Sequence, residues 1–148
     1  MMSNVNIEGV CMTQLDVIST QGGCVLHAMK KGDIGYQSFG EAYLSTIEQD
    51  VIRSWKQHLR MTLNLVVPMG AVKFVLFDDR PKSKTQFKFQ EIVLARDSNY
   101  ARLTVPPLIW VGFQGSGAGV NMILNLADLS HQENEMLRLA PDKIDYKW

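Results

Sequence analysis

The sequence predicts an all-β fold on two observations. Turn residues recur at short intervals, and the runs between them are short, apolar and rich in β-branched or aromatic residues. Gln21-Gly22-Gly23, Lys31-Gly32-Asp33, Met69-Gly70, Asp78-Asp79, Pro106-Pro107 and Gly115 to Gly119 punctuate the chain. Between them Leu63 to Val67, Val72 to Phe77, Phe87 to Leu94, Tyr100 to Val105 and Val120 to Leu126 read as strands. Phe87 to Ile92 alternates loosely, so one of its faces is expected to be wet. Gly115 to Gly119 lacks the Lys-Ser/Thr ending of a phosphate loop and reads as a hairpin turn. Gln132 to Leu139 reads as a short helix ahead of Pro141.

One segment leaves two readings open. Leu44, Ile47, Val51, Trp55 and Leu59 recur at helical spacing within Glu41 to Leu65, which fits an amphipathic helix. The other reading is two strands, Ala42 to Ile47 and Val51 to Leu65, turning at Glu48-Gln49-Asp50. Alternation then puts Ser54, Lys56, His58 and Arg60 on one face and Trp55, Leu59 and Met61 on the other.

Length and composition narrow the class. The 148 residues, 46% of them hydrophobic, suit a single domain with one full core and no linker. Fifteen basic and fifteen acidic residues cancel, which gives no electrostatic reason to expect nucleic acid or a membrane as partner. No apolar run approaches the roughly 20 residues that span a bilayer. Met1 to Glu8 lacks the pattern of a signal peptide, so the expected compartment is the cytoplasm. Cys11 and Cys24 lie in apolar stretches and are expected to be buried thiols. With only His27, His58 and His131 available, no Cys/His spacing matches a zinc site.

Several blocks, taken in order, carry a family resemblance. Gly40 to Ser45 is followed by Arg53-Ser54-Trp55-Lys56-Gln57-His58, then by Val75-Leu76-Phe77-Asp78-Asp79-Arg80 with Ser83 and Thr85. Pro106-Pro107 leads into Trp110-Val111-Gly112-Phe113; Asn125 to Asp128 precedes His131 and Glu135; Ile144 to Trp148 closes the chain. Together they resemble the dTDP-4-dehydrorhamnose 3,5-epimerase family. The resemblance implies a double-stranded β-helix (jelly-roll) cupin, usually a homodimer, that holds a nucleoside-diphosphate sugar inside the barrel. It also favours the two-strand reading of Glu41 to Leu65, with Lys56 and His58 pointing inward.

The departures from that family bear on chemistry. Metal-binding cupins place two histidines and a glutamate where this chain has Lys56, His58 and Thr62, a poor set for a divalent ion. No metal and no cofactor are expected. The epimerases use a histidine base that aligns here with Lys56, and Val111 replaces another of their histidines. A lysine at its ordinary pKa of about 10.4 is protonated at neutral pH. Either burial and Arg53 and Arg60 lower that value enough for Lys56 to act as base, or Lys56 stays charged and stabilises an enolate while His58 takes the proton. The family's tyrosine acid aligns near His131, which otherwise reads as part of a solvated loop. The catalytic candidates are therefore Lys56, His58 and His131.

The substrate-binding candidates are Arg53, Arg60, Asn64, Arg80, Trp110, Phe113 and Asn125. Guanidinium groups grip phosphate oxygens in pairs, although Arg80 has an alternative ion pair with Asp78 or Asp79. Trp110 and Phe113 either stack on a sugar or base or close the core; Tyr43 and Trp55 read as packing or interface residues. Two functions follow. One is a sugar-nucleotide epimerase or isomerase that enolises a 4-keto-6-deoxysugar for surface-polysaccharide synthesis. The other is a cupin that binds a sugar nucleotide or a partner enzyme without turning it over.

Overall fold

Positive-φ residues at the chain reversals cut the sequence into strands too short for anything but sheet. Gly22 (φ 77°) closes a hairpin, whereas Asp50 (φ 63°) and Gly70 (φ 77°) turn the chain where it passes from one sheet to the other. The computed structural model describes residues 6–148, so most of the Met1 to Glu8 expectation lies outside the described residues. The strands are β1 Cys11–Gln14, β2 Val17–Thr20, β3 Gly23–Leu26, β4 Glu41–Glu48, β5 Ile52–His58 and β6 Leu63–Met69. They continue as β7 Ala71–Phe77, β8 Phe89–Ala95, β9 Ala101–Val105, β10 Trp110–Gly115, β11 Val120–Ala127 and β12 Met136–Arg138.

Two five-stranded antiparallel sheets, ordered β1-β9-β6-β11-β4 and β12-β5-β10-β7-β8, face each other, and β2-β3 forms a separate hairpin. This is the jelly roll, an all-β closure. Between the sheets lies one apolar core, to which β6 gives Leu63, Leu65 and Val67, β7 gives Phe74 and Leu76, and β9 gives Leu103 and Val105.

The second sheet is buried on its outer face too. Trp55, Val75 and Trp110 form a cluster there with Ile144, Tyr146 and Trp148 from the C-terminal segment. That explains the misleading periodicity of Glu41 to Leu65. Ile47 enters the main core, Trp55 enters the outer cluster, and Leu44 and Val51 are exposed. One strand turns its core residue to the inner face of the first sheet and the next turns its own to the outer face of the second, so no single alternation runs through the segment.

Three further expectations are corrected. Val51 to Leu65 is two strands, because the chain turns after His58 and re-enters the other sheet as β6. Gln132 to Leu139 contains β12 and no helix. Asn134 has φ 65°, and the residues after it pair with the edge of β5 (Met136 with His58, Arg138 with Lys56). Cys24 is exposed and Cys11 only half-buried, both as free thiols. Cys24 lies on β3, in a hairpin that belongs to neither five-stranded sheet, so the core never reaches it.

Candidate active site

Strand β5 turns basic side chains into a barrel whose other lining is apolar or neutral. Lys56 and His58 face inward, while Trp55 and Gln57 face the outer cluster. Ser54 departs from the expected alternation and lies beside Gly112 and Trp148, on the outer side. The pocket between the sheets holds about 700 Å³ of empty space, its open mouth included. Its floor is Leu63, Leu65, Phe74 and Ile123, and Phe113 packs against Phe74 with ring centroids 6.0 Å apart. Arg53, Lys56 and His58 stand on one wall, and Tyr43, Ser45 and Asn125 on strands of the opposite sheet.

His58 is held by a carboxylate that sequence reasoning left out of the site. Nδ1 of His58 lies 2.7 Å from Oε2 of Glu135, and Oε1 of Glu135 accepts the backbone N–H groups of Arg60 (3.0 Å) and Met61 (2.8 Å). Burial pushes the Glu135 carboxyl up, but the hydrogen bonds from His58 and the two N–H groups outweigh it and leave it below the usual carboxylate range. A carboxylate on Nδ1 fixes the ring's orientation and makes Nε2 the nitrogen available to the pocket.

Lys56 is half-buried and, among the described residues, has no ion pair or side-chain hydrogen bond. Val111 of β10 and Arg138 of β12 flank it in register. Burial, then Arg138 and Arg53, pull its ammonium below the ordinary lysine range. The cation beside it on β12 is thus Arg138, not the Arg60 that the sequence suggested.

On the facing wall, Nδ2 of Asn125 donates to the Tyr43 hydroxyl at 3.0 Å, and Oδ1 of Asn125 accepts the N–H of Asn64 at 3.1 Å. Tyr43, read from sequence as a packing or interface residue, lines the pocket. The usable signal was its position four residues before the core residue Ile47, on the same face of one strand. No such signal marked Glu135, which meets His58 across 77 residues of chain.

The structure brings Arg53, Lys56, His58, Phe113 and Asn125 together and puts the other five candidates elsewhere. Arg60 is exposed and donates to Gln132. Asn64 is buried behind the wall, where it donates to Gly35 O and accepts from Thr104. Arg80 grips Asp78 through Nε and Nη2, both at 2.9 Å, and also reaches Glu8 O. Trp110 is 6% exposed, on the outer face, with its indole N–H given to Asp79 at 2.8 Å. His131 lies on an exposed loop away from the pocket. Among the described residues no three His, Cys, Asp or Glu side chains gather as a metal-ligand set.

Two facing antiparallel sheets with a polar-walled pocket between them define a cupin. No family model matches the chain. The crystal structure of a dTDP sugar isomerase from Desulfovibrio desulfuricans G20 superposes with a TM-score of 0.93 at 33% identity, covering 96% of this chain and 92% of that one. A dTDP-4-dehydrorhamnose 3,5-epimerase from Bacillus anthracis, crystallised with TDP and PPi bound, gives a TM-score of 0.84 at 17% identity over 98% of this chain and 87% of that one. The probable low-salt glycan biosynthesis epimerase Agl13 of Haloferax volcanii is 27% identical over 122 residues, 81% of this chain and 78% of the relative. The chain belongs to the dTDP-4-dehydrorhamnose 3,5-epimerase-like family of dTDP-sugar epimerases and isomerases.

Proposed function

We propose that this chain is a sugar-nucleotide epimerase or isomerase that enolises a nucleoside-diphosphate 4-keto-6-deoxysugar in surface-polysaccharide synthesis. The observation that carries this reading is the His58–Glu135 pair, an imidazole oriented by a buried carboxylate beside a pocket with an apolar floor. A keto group acidifies the C–H bonds on its neighbouring carbons. Nε2 of His58 removes one such proton, and Glu135 stabilises the imidazolium that forms. Tyr43, on the opposite wall, accepts a hydrogen bond from Asn125, which leaves its own O–H proton free to be given to the far face of the sugar. Lys56 acts on the keto group, and the exposed Arg53 takes the diphosphate.

The relatives point the same way, one being named a glycan biosynthesis epimerase and another having been crystallised with TDP and PPi. The reading makes the protein a one-domain cytoplasmic enzyme that works as a homodimer. Exposed Met12, Val17, Ile18 and Val25 on β1 and the β2-β3 hairpin favour an interface there, and a solution mass of one chain would count against it.

The test is solvent deuterium washing into dTDP-4-keto-6-deoxyglucose, followed by NMR. Exchange at C3 or C5 is expected, and its position names the carbon enolised. Binding without exchange would instead establish a sugar-nucleotide binder that performs no proton transfer.

A further inference from the structure

We propose that Lys56 is a nucleophile that condenses with the substrate ketone to form an imine, so that the proton is taken from the carbon beside an iminium and not from beside a free ketone. This inference rests on the enolising function proposed above.

Three observations lead to it. Lys56 has no carboxylate partner among the described residues, while Arg53 lines the same pocket and Arg138 sits opposite it in register. An ammonium so placed is repelled from two sides and partly stripped of water, which favours the neutral amine, as burial, Arg138 and Arg53 together indicate. The second observation is that the base role already belongs to His58, two positions along the same face and backed by Glu135. The third is that Arg53, with its permanent charge, is available for the anion-gripping role that would otherwise need a charged lysine. A primary amine whose charged form is destabilised, beside a separate, oriented base, is the arrangement that nucleophilic lysine catalysis needs.

The chemistry balances without any outside reagent. The Nζ lone pair attacks the carbonyl carbon, and the π pair moves to oxygen, which takes up a proton as nitrogen loses one. The carbinolamine hydroxyl takes a second proton from solvent at the open mouth of the pocket and leaves as water, giving the positively charged C=N bond; hydrolysis of the iminium later returns that proton. Nε2 of His58 takes the neighbouring C–H proton to give an enamine. Reprotonation of the same carbon from the opposite wall, where Tyr43 stands, inverts its configuration. Water adds back to the iminium and returns the ketone and the free amine.

The route commits the enzyme to one reaction type. If the ketone migrated to the next carbon, the Lys56 nitrogen would be left on the original carbon through a C–N single bond, which water does not cleave. An imine therefore means epimerisation beside a ketone that stays where it is.

The experiment uses the full chain with dTDP-4-keto-6-deoxyglucose and cyanoborohydride near neutral pH, which reduces iminium ions far faster than ketones. Intact mass and peptide mapping follow, with deuterium exchange measured in parallel. A sugar-nucleotide adduct on Lys56 is expected. It should be absent from Lys56→Arg, whose exchange should fall by at least a hundredfold while its circular dichroism stays that of the wild type. Exchange without an adduct, or Lys56→Arg exchanging as fast as wild type, would overturn the imine and leave the enolising function standing. Migration of the ketone would overturn it as well. Absence of both exchange and adduct in the wild type would overturn the two together.

Discussion

Glu135 and Asp78 are both buried, both accept at least three hydrogen bonds, and both have carboxyls held below the usual range, yet their partners differ in kind. Asp78, just after β7, accepts from the Arg80 guanidinium and backbone N–H, from Ser83 Oγ at 2.6 Å and from Thr85 Oγ1 at 2.7 Å. Every donor comes from its own loop, and the loop is locked. Glu135 takes its donors from the end of a different strand, and one of them, His58, keeps its second ring nitrogen for the pocket. A buried carboxylate that spends itself on its own loop fixes structure. One that holds an imidazole by a single edge is equipped for proton transfer. Both residues fall in blocks that resemble the epimerase family, so resemblance alone did not separate the two roles.

The sharpest way to break the comparison is to remove the imidazole. His58→Ala is expected to lower deuterium exchange by about 10²–10⁴-fold, the usual worth of a positioned base. Glu135→Gln should also fall sharply, because its amide can donate to Nδ1 and so select the wrong tautomer of His58. Wild-type exchange in either variant would remove the pair from the mechanism. The loop carboxylate should behave in the opposite way. Asp78→Ala strands the Arg80 guanidinium and is expected to cost about 3–5 kcal/mol in urea unfolding, with exchange per folded molecule unchanged. Lost exchange in well-folded Asp78→Ala would place that loop in the active site.

The smallest effect is the acid limb of stability. Asp78 and Glu135 have carboxyls lowered on folding, so their contribution is present above the ordinary carboxylate range of about 4 and is lost as pH falls through their folded values. Thermal melts across that range should show a shallower acid limb in Asp78→Asn than in wild type. The Glu135→Gln limb should lie between them, since fewer donors hold that carboxylate. Equal limbs in all three would mean that other groups govern acid unfolding.

Much of the architecture was legible because turns and short β-rich runs are local signals. Met69-Gly70 and Gly115 to Gly119 fall at chain reversals, although the hairpin expected at Gly115 to Gly119 is a crossing between the sheets, because β10 and β11 do not pair. Strand assignment failed where faces were not local. Trp55 reads as part of a helix only because a C-terminal Trp148, far along the chain, waits to cover it. The same limit applies to the site. Lys56 and His58 could be placed by alternation along one strand, whereas Glu135 became visible only when β12 was seen to pair with β5. Trp110 shows the converse error. An aromatic residue looks equally suited to stacking on a ligand or filling a core, and its partner Asp79 decides which.

β12 is a three-residue strand at the edge of its sheet, paired on one side only and mostly exposed. Its attachment to β5 is therefore the weakest seam near the pocket, the kind that opens in thermal fluctuations while the main core stays closed. When it opens, Glu135 is expected to leave His58 and the imidazole to lose its orientation, although the two sheets remain packed. Heat inactivation is expected to have its own midpoint, below that of a circular-dichroism melt of the fold. Hydrogen exchange should then show the amides at the end of β5 exchanging ahead of those in β6 and β9. Activity is expected to fail some degrees before the fold does.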